Sequence, residues 1–206
     1  MAKGPRVEKE ALLSAGLALM AQNGQPLTRR PLKGSAKLYE LPNGESVRVR
    51  TCNDHILITV AEHPGEGASL NIEGTDWILL VMPEVPRSPG PVRAYLLPTE
   101  KVVQDVREAH KRWLTSGPDT KGKNTTWNVH LDDRGPPHVS GYARKWASYL
   151  VPGEARTDVV ASAMPISENA RSDLSLGEEI SSARQRIARV AGVSVEAVRI
   201  TIDFGA

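Results

Sequence analysis

Two apolar runs stand either side of a proline-rich loop in TDWILLVMPEVPRSPGPVRAYLLPTEKVV, residues 75–103, and the second run leads straight into a helical stripe. Trp77 to Met82 and Val92 to Leu97 are rich in β-branched and large apolar side chains, as strands require. After Pro98 the period changes. Val102, Val103, Val106, Ala109, His110 and Trp113 fall on one face of a helix over about residues 100–115. Thr99 is placed to cap that helix, Glu100 lies at its positive end, and His110, Lys111 and Arg112 lie at its negative end. A strand–loop–strand–helix unit cannot bury its own apolar faces, so it commits the chain to a sheet with helices laid on it.

The remaining segments supply those partners. Leu12, Leu13, Leu17 and Met20 recur at helical spacing in a helix over residues 7–23, with Gly24 as its stop. KLYELPNGESVRVRT reads as a hairpin turning at Asn43-Gly44, and HILITVA continues as a third strand. TTWNVHL is a further strand and HVSGYARKWASYLV a second late helix. The order predicts an α/β (α+β) protein with one central mixed sheet flanked by helices and a C-terminal helix–turn–strand appendage. Residues 1–150 form the core domain, and residues 151–177, poor in periodicity, form a linker or exposed excursion. In residues 178–206, Ile180, Ala183, Ile187, Val190 and Ala191 make a helical stripe and Val198, Ile200 and Ile202 alternate as a strand. That tail is too small to fold alone, so it is expected to dock on the core or on a partner.

A chain of 206 residues with 40% hydrophobic and 24% charged residues can bury a sizeable core without staples. Its single cysteine, Cys52, excludes an intrachain disulfide and reads as a small core residue. No run approaches the ~20 apolar residues that span a bilayer. Glu8 and Glu10 spoil the resemblance of the N-terminus to a signal peptide, so a cytoplasmic protein without membrane contact is expected. No glycine-rich phosphate loop of either common spacing is present.

Gly74-x-Asp76 opening a strand, followed by a loop and a strand that runs into a long helix, resembles the core of the PD-(D/E)XK restriction-endonuclease-like superfamily. The resemblance covers roughly residues 5–135. In that family an Asp on one strand and a Glu-x-Lys on the next hold Mg²⁺, which activates water and stabilises the leaving oxygen. Asp76 matches the first position. Val92 to Pro98 carries aliphatic residues where Glu-x-Lys would stand, and Glu100-Lys101 is an adjacent pair beyond a proline. Glu and Lys two apart share a strand face, whereas neighbours do not. The resemblance therefore implies a bacterial nuclease-like framework with an eroded catalytic signature, one that binds DNA or RNA in mobile-element, defence or regulatory biology. An active Mg²⁺-dependent nuclease would need Asp76 and Glu100 as its catalytic pair, or Glu84, Glu8 or Glu10 as the second carboxylate. Without such activity no cofactor and no metal are expected.

Basic residues that suit phosphate contacts are Arg29, Arg30, Arg48, Arg50, Lys111, Arg112, Lys121 and Lys123, with Asn124 as a further donor. His130, Asp132, Asp133 and His138 make a looser metal-ligand grouping, which ordinary turn chemistry also explains. Arg184, Arg186, Arg189 and Arg199 add a positive strip to the tail. The alternative class is a protein-interaction module (inhibitor, adaptor or effector) that contacts a partner through residues 178–206 and the proline-rich loop.

Overall fold

In the computed structural model, residues 6–30, 38–65, 67–116, 124–158 and 194–199 are described. The chain divides into two compact units, Met1–Val160 and Ala161–Ala206. The first unit is a mixed α/β body. Its elements are α1 (Lys9–Gln22), β1 (Thr28–Arg29), β2 (Leu38–Glu40), β3 (Ser46–Thr51), β4 (Ile56–Val60), β5 (Trp77–Pro83), β6 (Val92–Pro98), α2 (Thr99–Thr115), β7 (Thr126–His130) and α3 (Tyr142–Lys145).

Five strands make the main sheet in the order β1-β2-β3-β5-β6. The β3–β5 pair is parallel and the others are antiparallel. Asn43-Gly44 turns the β2–β3 hairpin as expected, with Gly44 at φ 89° where a side chain would be strained. β5 is buried on both faces, which is why its sequence is a continuous apolar run without alternation. Leu79 and Val81 meet Leu12, Leu19 and Met20 of α1, while Ile78, Leu80 and Met82 join the core beneath α2. Gly16 lets α1 sit directly on Val81. Gly24, at φ 69°, ends that helix as the sequence indicates.

Three expectations are corrected. HILITVA does not join the central sheet. It is β4, paired antiparallel with β7 in a separate two-stranded sheet. The turn Asn53-Asp54-His55, with His55 at φ 57°, turns the chain away from β3 and leaves that flank to β5. HVSGYARKWASYLV is not one helix. Gly141 in the left-handed region breaks it into a 3-10 turn (Pro137–Val139), the single turn of α3 and a 3-10 turn (Ala147–Tyr149). Thr99 is the first residue of α2 rather than its cap, which is Pro98.

Residues 151–158, read in the sequence as the start of a linker, run beside β6. Val151 donates to the Ala94 carbonyl, and Val92 donates to that of Ala155. In the second unit Val195–Ala197 form a 3-10 turn. The expected tail helix, together with Ile200 and Ile202, lies outside the described residues. No described helix is long and apolar enough to cross a membrane.

Candidate functional site

Asp76 is a strand clamp. Its Oδ2 accepts the Ser46 backbone N–H and hydroxyl, each at 2.7 Å, and its own N–H donates to Ser46 Oγ at 3.0 Å. These bonds tie the amino ends of β3 and β5, and Ser46 holds the carboxyl below the usual carboxylate range. Glu100 is exposed on the first turn of α2, near the same end of β5. Glu84 lies eight residues along the chain from Asp76, roughly 26 Å in extended strand, and accepts from Arg93 at 2.7 Å. Glu8 caps α1, beside Asn53 beyond the far end of β3. Glu10 follows in the first turn of α1. Glu84, Glu8 and Glu10 are therefore all remote from Asp76.

The expected phosphate-contacting side chains are dispersed. Arg30 pairs with Glu40 at 2.6 Å, and Arg29 is exposed beside it on the edge strand. Arg48 and Arg50 reach inward, donating to the Asn71 carbonyl, so they fasten the loop that carries the chain from β4 to β5. Arg112 donates to Tyr142 Oη at 2.9 Å. Asn124 spends its side-chain oxygen on the Thr126 N–H and its carbonyl on Trp127 Nε1. Lys121 and Lys123 lie outside the described residues. Most other described cations already face acids: Arg93 with Glu84, Arg107 with Glu73, Arg144 with Asp133, and Lys101 and Lys145 with Asp105.

A groove of about 530 Å³ runs along α2. Glu100, Val103, Gln104, Arg107, Glu108, Lys111 and Leu114 line it at helical spacing, facing Pro64, Gly67 and Trp127. His110 belongs to its wall, stacked on Trp127 with ring centroids 4.0 Å apart and on Trp113 at 5.5 Å. Burial lowers the His110 pKa, opposed by the Pro64 carbonyl, and its Nε2 has no partner among the described residues. Sequence periodicity places Val103 and Trp113 in the buried stripe, but both are only partly buried. Asp105 takes a core position instead, accepting from Lys101, Lys145 and Trp146.

Of the looser metal-ligand grouping, His130 and Asp132 border one cleft, whereas Asp133 is paired with Arg144 and His138 faces Ser116. Among the described residues no three His, Cys, Asp or Glu side chains converge as metal ligands would. Cys52 is buried, which pushes its thiol up to about 12, so it is no nucleophile at neutral pH. No family model, curated protein or solved structure matches this chain.

Proposed function

We propose that the protein is a non-catalytic recognition module and that the α2 groove receives an amphipathic segment of a protein partner. The observation that carries this reading is the groove itself. Val103 and Leu114 are the apolar members of a stripe that runs from Glu100 to Leu114 along α2, about 21 Å of helix. Its volume is in the range of recognition pockets, and it is an open channel suited to a chain segment. Glu100 and Glu108 stand on its rim with Lys111 and Arg107, so the rim favours a peptide carrying both signs of charge over a polyanion. The nucleic-acid reading draws on Arg29 and Lys111 among the described residues and on Lys121 and Lys123 beyond them. The pairing of most other described cations is why the peptide reading stands first.

The test is selection of a random peptide library on the full chain, followed by anisotropy titration of the enriched peptides. Apolar anchors spaced i, i+3 or i+4, and i+7 are expected. Val103→Glu and Leu114→Glu are expected to weaken binding at least tenfold while circular dichroism shows the fold retained at the assay temperature. Peptides that bind both variants as tightly as the parent would refute the assignment. So would oligonucleotide binding with a steep salt dependence as the only interaction found.

A further inference from the structure

β3 and β5 are the parallel pair of the main sheet, so their carboxyl ends open at the same side, where ligands of open α/β sheets collect. The turn at 53–55, the loop at 84–90 and the exit of β7 meet there. They enclose a cleft of about 320 Å³ lined by Asp54, Ile56, Arg87, His130, Asp132 and Arg134. The cleft shares no lining residue with the α2 groove, and a ligand bound in it is independent of the function proposed for that groove.

Of the two non-glycine residues with left-handed backbone among the described residues, Arg87 (φ 63°) lines this cleft and His55 (φ 57°) is buried behind it, beside Asp132. Histidine enters that region more readily than most side chains, but arginine does not share the advantage. Arg87 is the third residue of the turn Val85-Pro86-Arg87-Ser88, closed by Ser88 N–H on the Val85 carbonyl. With proline second and positive φ third, glycine is the residue such a turn favours. The Arg87 N–H donates to the Asn53 carbonyl, and glycine would keep that bond. What arginine adds at a strained position is its guanidinium, and strain of this kind concentrates at functional sites.

The charges of the cleft come in facing pairs. Asp54 faces Arg87 and Arg6, and Asp132 faces Arg134, with His55 Nδ1 3.4 Å away. Arg87 and Arg134 line the cleft with both carboxylates, and Arg6 reaches Asp54 from outside that lining. Arg134 also donates to the Asp54 carbonyl at 3.2 Å, which fixes its plane. Both Nη atoms of Arg87 and Nη1 of Arg134 have no protein acceptor among the described residues. Burial holds His130 below the usual histidine range, leaving a neutral ring able to offer one N–H. Planar guanidinium forks with donors to spare match tetrahedral oxyanions.

We propose that this cleft binds a phosphate group, held between the guanidinium forks of Arg87 and Arg134 with His130 as a further donor. The experiment is NMR and calorimetric titration of the full chain with inorganic phosphate, for the parent, Arg87→Gly and Arg134→Gln. Saturable binding is expected, with perturbations centred on Arg87, His130 and Arg134. Arg87→Gly should weaken it about tenfold or more, the size of a lost charge-assisted pair, while the melting temperature holds or rises. A competition arm with a single-stranded oligonucleotide and a small phosphate monoester then distinguishes a phosphodiester source from a free one. Absence of saturable binding, or equal affinity in Arg87→Gly, overturns the proposal. A fall of several degrees in the melting temperature of Arg87→Gly also overturns it, because the side chain would then be holding the turn.

Discussion

Asp105 should be the most sensitive charged position in the body. Its carboxylate is 1% exposed and accepts Lys101 Nζ at 2.6 Å, Lys145 Nζ at 2.8 Å and Trp146 Nε1 at 2.7 Å. The pair Lys145–Asp105 and the Trp146 bond tie the α3 segment to α2, and Trp146 is itself fully buried. Asp105→Ala lets both lysines turn to water, since each is about a third exposed. It also strands the Trp146 N–H inside the core. Losing one side of a buried, hydrogen-bonded charge cluster costs about 3–5 kcal/mol. For a body of this size each kcal/mol moves the melting temperature by roughly 2–4 °C, so the midpoint falls by roughly 6–20 °C.

The pH dependence of that difference has a definite sign. Burial alone would raise the Asp105 pKa, but the bonds from Lys101, Lys145 and Trp146 outweigh it and hold the carboxyl below its ordinary value. A depressed carboxyl stabilises above its unfolded pKa and loses that contribution as pH falls through its folded one. For Lys145, burial lowers the pKa, but the Asp105 carboxylate overrides this and raises it. Its contribution is full below the unfolded value and lost as pH rises through the folded one. The gap between parent and Asp105→Ala should be widest from roughly pH 5 to pH 10 and narrow on both sides. Thermal and urea unfolding across that range measures it, and an Asp105–Lys145 double-mutant cycle isolates the pair. A loss under about 1 kcal/mol at pH 7, or a gap that does not change with pH, would refute the reasoning.

Two further outcomes rest on the packing. Gly16→Ala should gain up to about 1 kcal/mol in helix propensity yet destabilise overall, because the new Cβ falls inside the Val81 side chain and overpacking costs about 1–3 kcal/mol. Urea unfolding checks the sign, and Val81→Ala in the same chain should recover part of the loss. Cys52 should resist a disulfide thiol reagent at pH 8 in the native protein and react fully in denaturant, because burial raises its pKa to about 12. Native labelling at the rate of a free thiol would contradict that burial.

Local rules carried much of the fold. Asn43-Gly44 specifies its own turn, Gly24 its helix end, and the stripe from Val102 to His110 its own face, because each depends on neighbours within a few residues. The candidate sites were less legible. Asp76 stands out in the sequence as a carboxylate opening a strand. Its role as a clamp depends on Ser46, thirty residues earlier. The groove draws on Val103, which periodicity assigns to the core, and the phosphate cleft on Arg87. The latter's only local signal is Pro86-Arg87 in a turn where glycine would be ordinary.

The sequence by itself determined the longer strands and the two long helices, since their patterns repeat with the geometry of the element, whereas the late helix that it suggested is broken at Gly141. The tertiary structure alone decided who pairs with whom. The run Ile56 to Val60 marks a strand but neither its buried face, since Thr59 is buried while Ile58 and Val60 are exposed, nor its neighbour, and β4 found β7 some seventy residues on instead of the central sheet. In the same way Asp105 became a buried anchor only because Lys145 and Trp146, forty residues later, fold back to meet its charge.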